Sequence, residues 1–366
     1  MNNNIKKIVI ATGGTGGHIF PAYSLAKHFK YKNINVEIIS DKRGYKYLKD
    51  YQDIKVSIIS SSTIFKKDFF QLIFSITMII YAITRSFIFL LFNRPNLIFG
   101  MGGYSSFPVC IAAKILRVPF IIYENNLFMG KANKYLTPFA EKVFVSYKDL
   151  EGVSQKYKEN VIEIGNIIRK EILNAKLEQF HKLDDKKLKI LILGGSQAAK
   201  IFAEELPKIF KKCVDANIDF KIYQQCLPDQ NEFLNSYYKN LNINFEIFNF
   251  KSNIMDYFQK ANLAITRSGS SMLAELINVK VPFISIPLPS SADNHQLKNA
   301  IYYKKHNYGY LIKEEDIKTE LFGLISRISK EKSLLNQMIN KQRQYSDKSV
   351  YENIDKEVTK ILNEKY

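Results

Sequence analysis

Twice in this chain a short, wholly apolar run passes straight into a glycine turn: Ile8-Val9-Ile10-Ala11 into Thr12-Gly13-Gly14, and Ile190-Leu191-Ile192-Leu193 into Gly194-Gly195. An apolar run of that length, bounded by glycine and followed by helix-patterned sequence, reads as a strand buried on both faces. Similar runs recur at residues 36–40, 97–99, 120–123 and 143–146, then at 220–223, 245–248, 263–266 and 283–286. Strands alternating with helices imply parallel sheets, because a parallel crossover needs a long return segment. The predicted fold class is therefore α/β, with two Rossmann-like domains of parallel sheet facing a cleft.

The polar stretch 170–187, ending in Asp184-Asp185-Lys186-Lys187, separates the two sets of strands, which puts the domain switch near Asn166. Residues 1–165 then form the first domain and 166–345 the second. Residues 346–366 carry Val350, Ile354, Val358 and Ile361 at helical spacing, an apolar stripe expected to pack back on the first domain.

With 366 residues, 46% of them hydrophobic, the chain can bury two real cores, which excludes disorder and fibrous classes. Its three cysteines form no C-x-x-C pair, so neither a disulfide framework nor a zinc ribbon is expected, and a reducing, cytoplasmic compartment follows. The polar start runs directly into a strand with no apolar signal region, so export is not expected. A net charge of +18 calls for anionic partners. Without a zinc finger, aromatic RNA-binding signature or continuous basic helix, nucleic acid is not expected among them, whereas an anionic membrane surface or a phosphorylated ligand is.

Residues 69–92 break the α/β rhythm with a 24-residue apolar run interrupted by Gln71 and Arg85. At about 1.5 Å per residue such a helix could span a bilayer of roughly 30 Å, yet the strand after it must rejoin the sheet. Buried, spanning and partly lipid-facing placements all remain open. The last predicts docking of residues 65–94, with Lys66, Lys67, Arg85 and Arg94 meeting anionic headgroups.

Three glycine turns follow strands: Gly13-Gly14-Thr15-Gly16-Gly17-His18, Gly100-Met101-Gly102-Gly103-Tyr104-Ser105-Ser106 and Gly194-Gly195-Ser196-Gln197. Backbone amides at such turns, with the helix N-terminus behind them, form anion sites, and the crevice above an open parallel sheet is where ligands collect. The dinucleotide pattern G-x-G-x-x-G fails at Ile19, and no phosphate-loop Gly-Lys-Ser/Thr follows. Two cradles in the first half and one in the second suggest two phosphorylated ligands. His18, at the mouth of the first cradle, is a candidate general base, since imidazole titrates near neutral pH.

These residues, GGTGGHIFP (13–21) and GMGGYSSFP (100–108), together with YENN (123–126), GGSQA (194–198), TRSGSSMLAE (266–275) and PLPSSADNHQLKNA (287–300), resemble glycosyltransferase family 28 over nearly the whole chain. Within it the likeness is to the membrane-associated transferases that pass N-acetylglucosamine to a lipid-linked muramoyl-pentapeptide. The resemblance implies a GT-B fold, with a polyprenyl-diphosphate-linked acceptor in the first domain and UDP-N-acetylglucosamine in the second. It also implies inverting transfer without a bound metal or other cofactor, in agreement with the lack of an Asp-x-Asp motif. The setting it implies is peptidoglycan synthesis at the cytoplasmic face of the bacterial plasma membrane, as a peripheral protein.

For individual residues the resemblance implies donor contacts at Thr15, Gly16, Gly17, Asn126, Arg169, Ser196, Lys251, Ser270, Ser271, Met272, Leu273, Ala274, Glu275 and Gln296. Glu275, expected as an accessible carboxylate, would hold the ribose hydroxyls, Asn126 and Gln296 the sugar, and the Lys251 backbone the uracil edge. Arg267 and Ser196 could meet the nucleotide diphosphate. Gly13, Gly14, Gly102, Gly103, Tyr104 and Ser105 are the expected acceptor side. Departures from the family pattern are Tyr123 and Asn125 in place of His and Gln, Ala198 in place of glycine, and Ile167-Ile168 where Pro and Val are common. Alternatives are a related GT-B transferase with another lipid acceptor and, more remotely, a non-catalytic nucleotide-binding protein.

Overall fold

The computed structural model describes residues 7–59, 69–175, 187–195, 199–249 and 254–363. The chain divides into two compact units, Met1–Arg169 with Asp347–Tyr366, and Lys170–Ser346.

The first unit runs β1 (Lys7–Ala11), α1 (Gly16–Tyr31), β2 (Asn35–Ser40), α2 (Lys42–Leu48), β3 (Lys55–Ile58), α3 (Phe69–Phe92) and β4 (Leu97–Gly100). It continues through α4 (Ser106–Ile115), β5 (Phe120–Glu124), α5 (Lys131–Leu136), β6 (Lys142–Val145) and β7 (Val161–Glu163). Its seven strands pair in the order β3-β2-β1-β4-β5-β6-β7, every pair parallel. The central strands carry Val, Ile and Phe on both faces and lie in the core; Ile8, Val9, Ile10, Leu97, Ile98 and Phe99 have no exposure.

The second unit opens with α6 (Lys170–Leu173), β8 (Leu188–Leu193), α7 (Lys200–Asp215), β9 (Phe220–Gln225), α8 (Asn231–Asn240) and β10 (Asn244–Phe248). There follow α9 (Met255–Lys260), β11 (Leu263–Thr266), α10 (Ser270–Asn278), β12 (Phe283–Ser285), α11 (His295–Lys305), β13 (Tyr310–Leu311), α12 (Ile317–Lys330) and α13 (Ser333–Gln342). Its sheet is also parallel, ordered β10-β9-β8-β11-β12-β13.

After Ser346 the chain returns to the first unit as α14 (Val350–Asn363). Val350, Ile354 and Val358 are fully buried on one face of this helix. The polar edge is tied as well: the Tyr351 hydroxyl donates to the Ile168 carbonyl at 2.7 Å, and Asp355 pairs with His28 of α1 at 2.9 Å. Tyr351 also stacks on the His28 ring, with centroids 4.5 Å apart.

Helix α3 inverts the usual pattern. Its inward stripe is made of Ser75, Ala82, Ser86 and Leu90, so that small residues let it lie close against α4. The buried hydroxyls of Ser75 and Ser86 turn back to the carbonyls of Gln71 and Ala82, which keeps them satisfied. The large side chains face outward: Phe74 is 58% exposed and Ile80 57%, with Phe70, Ile73, Ile76, Ile88, Leu91 and Phe92 also exposed. The helix is long and apolar enough to cross a membrane by length and composition. Gln71, Thr77, Thr84 and Arg85 are the polar residues exposed among its side chains, so the outward face is large and mainly apolar.

Candidate functional site

In the first unit the chain leaves the sheet in opposite directions from β1 and β4, and the first two glycine turns flank that switch point. They are packed into one another. A Cβ on Gly13 would fall 2.1 Å from Ser105 Oγ, and one on Gly103 would fall 2.9 Å from the Gly13 carbonyl oxygen. One on Gly102, whose φ is +85°, would meet His18 Cε1 and Nδ1 at 2.9 Å. Glycine is thus required here by close approach, and the half-buried His18 ring rests on the second turn. The structure brings together Gly13, His18, Gly102, Gly103 and Ser105, with Gly14, Gly16, Gly17 and Tyr104 beside them and Thr15 exposed at the cap of α1.

Pro21 lies inside α1 and has no N–H to offer the Gly17 carbonyl one turn back. Asn125 supplies the missing donor, its Nδ2 reaching Gly17 O at 2.8 Å. The loop after β5 is thereby fixed to the first glycine turn. Buried Glu124 orders the same loop by accepting from Gly130 N and Asn133 Nδ2, both at 2.9 Å, and from the Asn126 backbone and side chain, both at 3.1 Å. Asn126 also donates to Asn125 Oδ1 at 3.0 Å, so both of its amide hydrogens are engaged within the loop. Tyr123, one of the departures noted in the sequence, points elsewhere: its hydroxyl meets Ser146 at 2.8 Å and accepts from Ile167 N at 2.9 Å. Burial drives its phenol pKa upward.

The amide of Gly14 is not open to a ligand in this conformation. It donates to Asp41 Oδ1 at 3.2 Å, an oxygen that also accepts from Gly44 N at 2.7 Å as the N-cap of α2. Oδ2 of the same carboxylate takes Arg43 Nε and Nη2 at 3.2 and 3.0 Å. Burial alone would raise the Asp41 pKa, but the Gly44 and Gly14 amides and then Arg43 outweigh it and hold the carboxyl below its ordinary 3.8. Sequence reading missed both residues; the available signal was an Asp between a strand and a helix-patterned run.

In the second unit the corresponding switch point lies between β8 and β11. Gly195 follows β8 with a φ of +77°, while Ser196 and Lys251 lie outside the described residues. After β11 the turn Arg267-Ser268-Gly269 delivers α10, whose first intrahelical bond runs from Leu273 N to Gly269 O. The amides of Ser270, Ser271 and Met272 therefore lack an intrahelical acceptor and carry the positive end of the helix. Leu273 and Ala274 are fully buried in the core side of α10. Glu275 is buried too, at 6% exposure, a correction to the accessible carboxylate expected from the sequence. Gln296 is half-buried and accepts from Leu288 N at 3.0 Å, which fixes its orientation and leaves its NH₂ as the donor side.

Arg267 is placed differently from its expected role at the diphosphate. Its Nη1 donates to the carbonyls of Ile286 and Pro287, each at 3.3 Å, its Nη2 pairs with Glu314, and its guanidinium lies 5.0 Å from the Phe202 ring centroid. With 8% exposure it is an internal strut. Arg169 is half-buried at the last residue of the first unit's main segment. Among the described residues no group of three or more His, Cys, Asp or Glu is placed to hold a metal ion. The three cysteines are buried and unpaired, with desolvation pushing the Cys213 thiol up to about 12.

Two parallel-sheet α/β units, each with glycine turns at the carboxyl edge of its sheet, constitute the GT-B architecture of sugar-nucleotide transferases. The match to known proteins agrees. Residues 8–145 match the glycosyltransferase family 28 N-terminal domain and residues 189–355 the family 28 C-terminal domain. A Pelagibacter ubique protein named UDP-N-acetylglucosamine--N-acetylmuramyl-(pentapeptide) pyrophosphoryl-undecaprenol N-acetylglucosamine transferase is 34% identical, over 98% of this chain and 99% of its own. A Rickettsia bellii protein of the same name is 35% identical over 88% of this chain and 91% of its own. The crystal structure of Acinetobacter baumannii MurG superposes with a TM-score of 0.76 at 24% identity, covering 97% of this chain and 99% of that one. The chain is a glycosyltransferase and belongs to family 28.

Proposed function

We propose that this protein transfers N-acetylglucosamine from UDP-N-acetylglucosamine to the 4-hydroxyl of undecaprenyl-diphospho-N-acetylmuramoyl-pentapeptide, the lipid-linked step of peptidoglycan synthesis. The observation that carries the reading is the 34% identity, over almost the full length of both chains, to a transferase bearing that name. The site geometry supports it. In the first unit, His18 beside two interlocked glycine turns suits an acceptor whose diphosphate sits on backbone amides while its hydroxyl gives up a proton. In the second, the amino-terminal end of α10, with the positive end of its helix dipole, suits the donor diphosphate.

On this reading His18 takes the proton of the acceptor hydroxyl as that oxygen bonds to the sugar carbon and the carbon–oxygen bond to UDP breaks, inverting the centre. The charge left on UDP is met by the amides of Ser270, Ser271 and Met272 and by Arg169, without a metal. Glu275 takes the ribose hydroxyls, and Asn126 and Gln296 hold the sugar. The test is transfer of labelled sugar from UDP-N-acetylglucosamine to a set of defined acceptors. Product with the muramoyl lipid and none with diacylglycerol or a bare polyprenyl phosphate is expected; the reverse preference would contradict the acceptor assignment.

The acceptor's polyprenyl chain stays in the bilayer, since exposing it costs roughly 0.8 kcal/mol per CH₂. We therefore place the protein peripherally on the cytoplasmic face, with the outward side of α3 in the acyl boundary and Arg85 and Arg94 at the headgroups. The Lys66 and Lys67 part of this expectation lies outside the described residues. A Phe74→Ser/Ile80→Ser variant should lose about tenfold or more in partitioning to anionic vesicles, with Tm unchanged because both side chains are exposed. Equal partitioning of wild type and variant would contradict lipid contact by this face.

A further inference from the structure

We propose that Arg43 is a phosphate-binding residue at the first glycine turn, and that buried Asp41 is the positioning residue that holds it there; the assignment rests on the acceptor reading above. Asp41 follows β2 directly and β2 pairs with β1, so its carboxylate stands at the same sheet edge as the Gly13-Gly14 turn. Its side chain is 6% exposed, and its carboxyl carbon lies 3.1 Å from where a Cβ on Gly13 would be. One oxygen is committed to the Gly14 and Gly44 amides and the other to Arg43.

A carboxylate fixed against an anion-binding turn opposes the anion unless its charge is compensated. The compensating group is Arg43. Asp41 takes Nε–H and one Nη2–H of its guanidinium, which leaves the two Nη1 hydrogens and the second Nη2 hydrogen as donors on a side chain that is 62% exposed. That is the planar, bidentate presentation suited to a phosphate oxygen pair, held from behind by a buried partner rather than waving from the surface. A surface ion pair would not need the carboxylate to bond the glycine turn as well. The phosphate could belong to the acceptor's diphosphate or to a phospholipid headgroup; the location at the turn favours the first.

The test uses the full-length protein with its nucleotide site saturated by UDP and measures binding of inorganic pyrophosphate by calorimetry. Sedimentation with phosphatidylglycerol vesicles, Tm and turnover of the muramoyl lipid are recorded in parallel. Arg43→Gln should weaken pyrophosphate about tenfold or more, Arg43→Lys less, and both should keep vesicle binding and Tm. Adding Asp41→Asn to Arg43→Gln should recover part of the loss, because the uncompensated negative charge is then gone. Pyrophosphate affinity within about twofold of wild type in Arg43→Gln would overturn the proposal, as would a loss of vesicle binding in its place. So would a wild type that does not bind pyrophosphate, and a folded double variant no tighter than Arg43→Gln would remove the Asp41 coupling. Wild-type failure to turn over the muramoyl lipid, with the pyrophosphate results intact, would instead refute the acceptor reading alone.

Discussion

Replacing His18 by alanine is expected to lower kcat by roughly 10²- to 10⁴-fold while donor affinity stays within about twofold. The imidazole lies over Gly102 and Gly103, against the turns assigned to the acceptor. A base acts on the transition state, so its loss falls on kcat rather than on nucleotide binding. The substitution removes a half-buried ring that is not part of the apolar core, and Tm should change little. A variant that keeps most of its turnover would reduce His18 to holding the turn, and the base would then have to lie elsewhere.

Arg267→Ala is expected to destabilise the second unit by about 3–5 kcal/mol, because it leaves Glu314 and two carbonyls without their buried cation. For a domain of this size that corresponds to a fall in Tm of roughly 6–20 °C. Thermal unfolding checks it. An unchanged Tm with a large rise in donor KM would instead return Arg267 to the nucleotide diphosphate, the role the sequence suggested.

Most strands legible in the sequence were those buried on both faces; the edge strand β10 was also legible, from the apolar residues of 245–248, although only Phe248 in it is buried. The other edge strands, β3, β7 and β13, were not: exposed Lys55 and Glu163 and partly exposed neighbours interrupt the pattern, because an edge needs apolar contacts on fewer sides. Composition alone could not orient α3. A run apolar all round is compatible with burial or with lipid, and the deciding fact is that Ser75, Ala82 and Ser86 take the inward stripe. The glycine turns announced their own position, since few other residues fit so close an approach. What they could not announce was their neighbours. Asp41 is 27 residues from Gly14 in the chain and meets it only because β1 and β2 pair. Glu275 and Arg267 likewise sit in motif positions whose burial depends on elements folded over them.

The most direct measurement is nuclear magnetic resonance of the disaccharide lipid made in the presence of EDTA from UDP-N-acetylglucosamine and undecaprenyl-diphospho-N-acetylmuramoyl-pentapeptide. The predicted product carries one N-acetylglucosamine joined to the muramoyl 4-oxygen in β configuration, inverted from the α linkage of the donor, with one UDP released per sugar. An α-linked product, attachment at another oxygen, or UDP release without a new disaccharide would contradict the account.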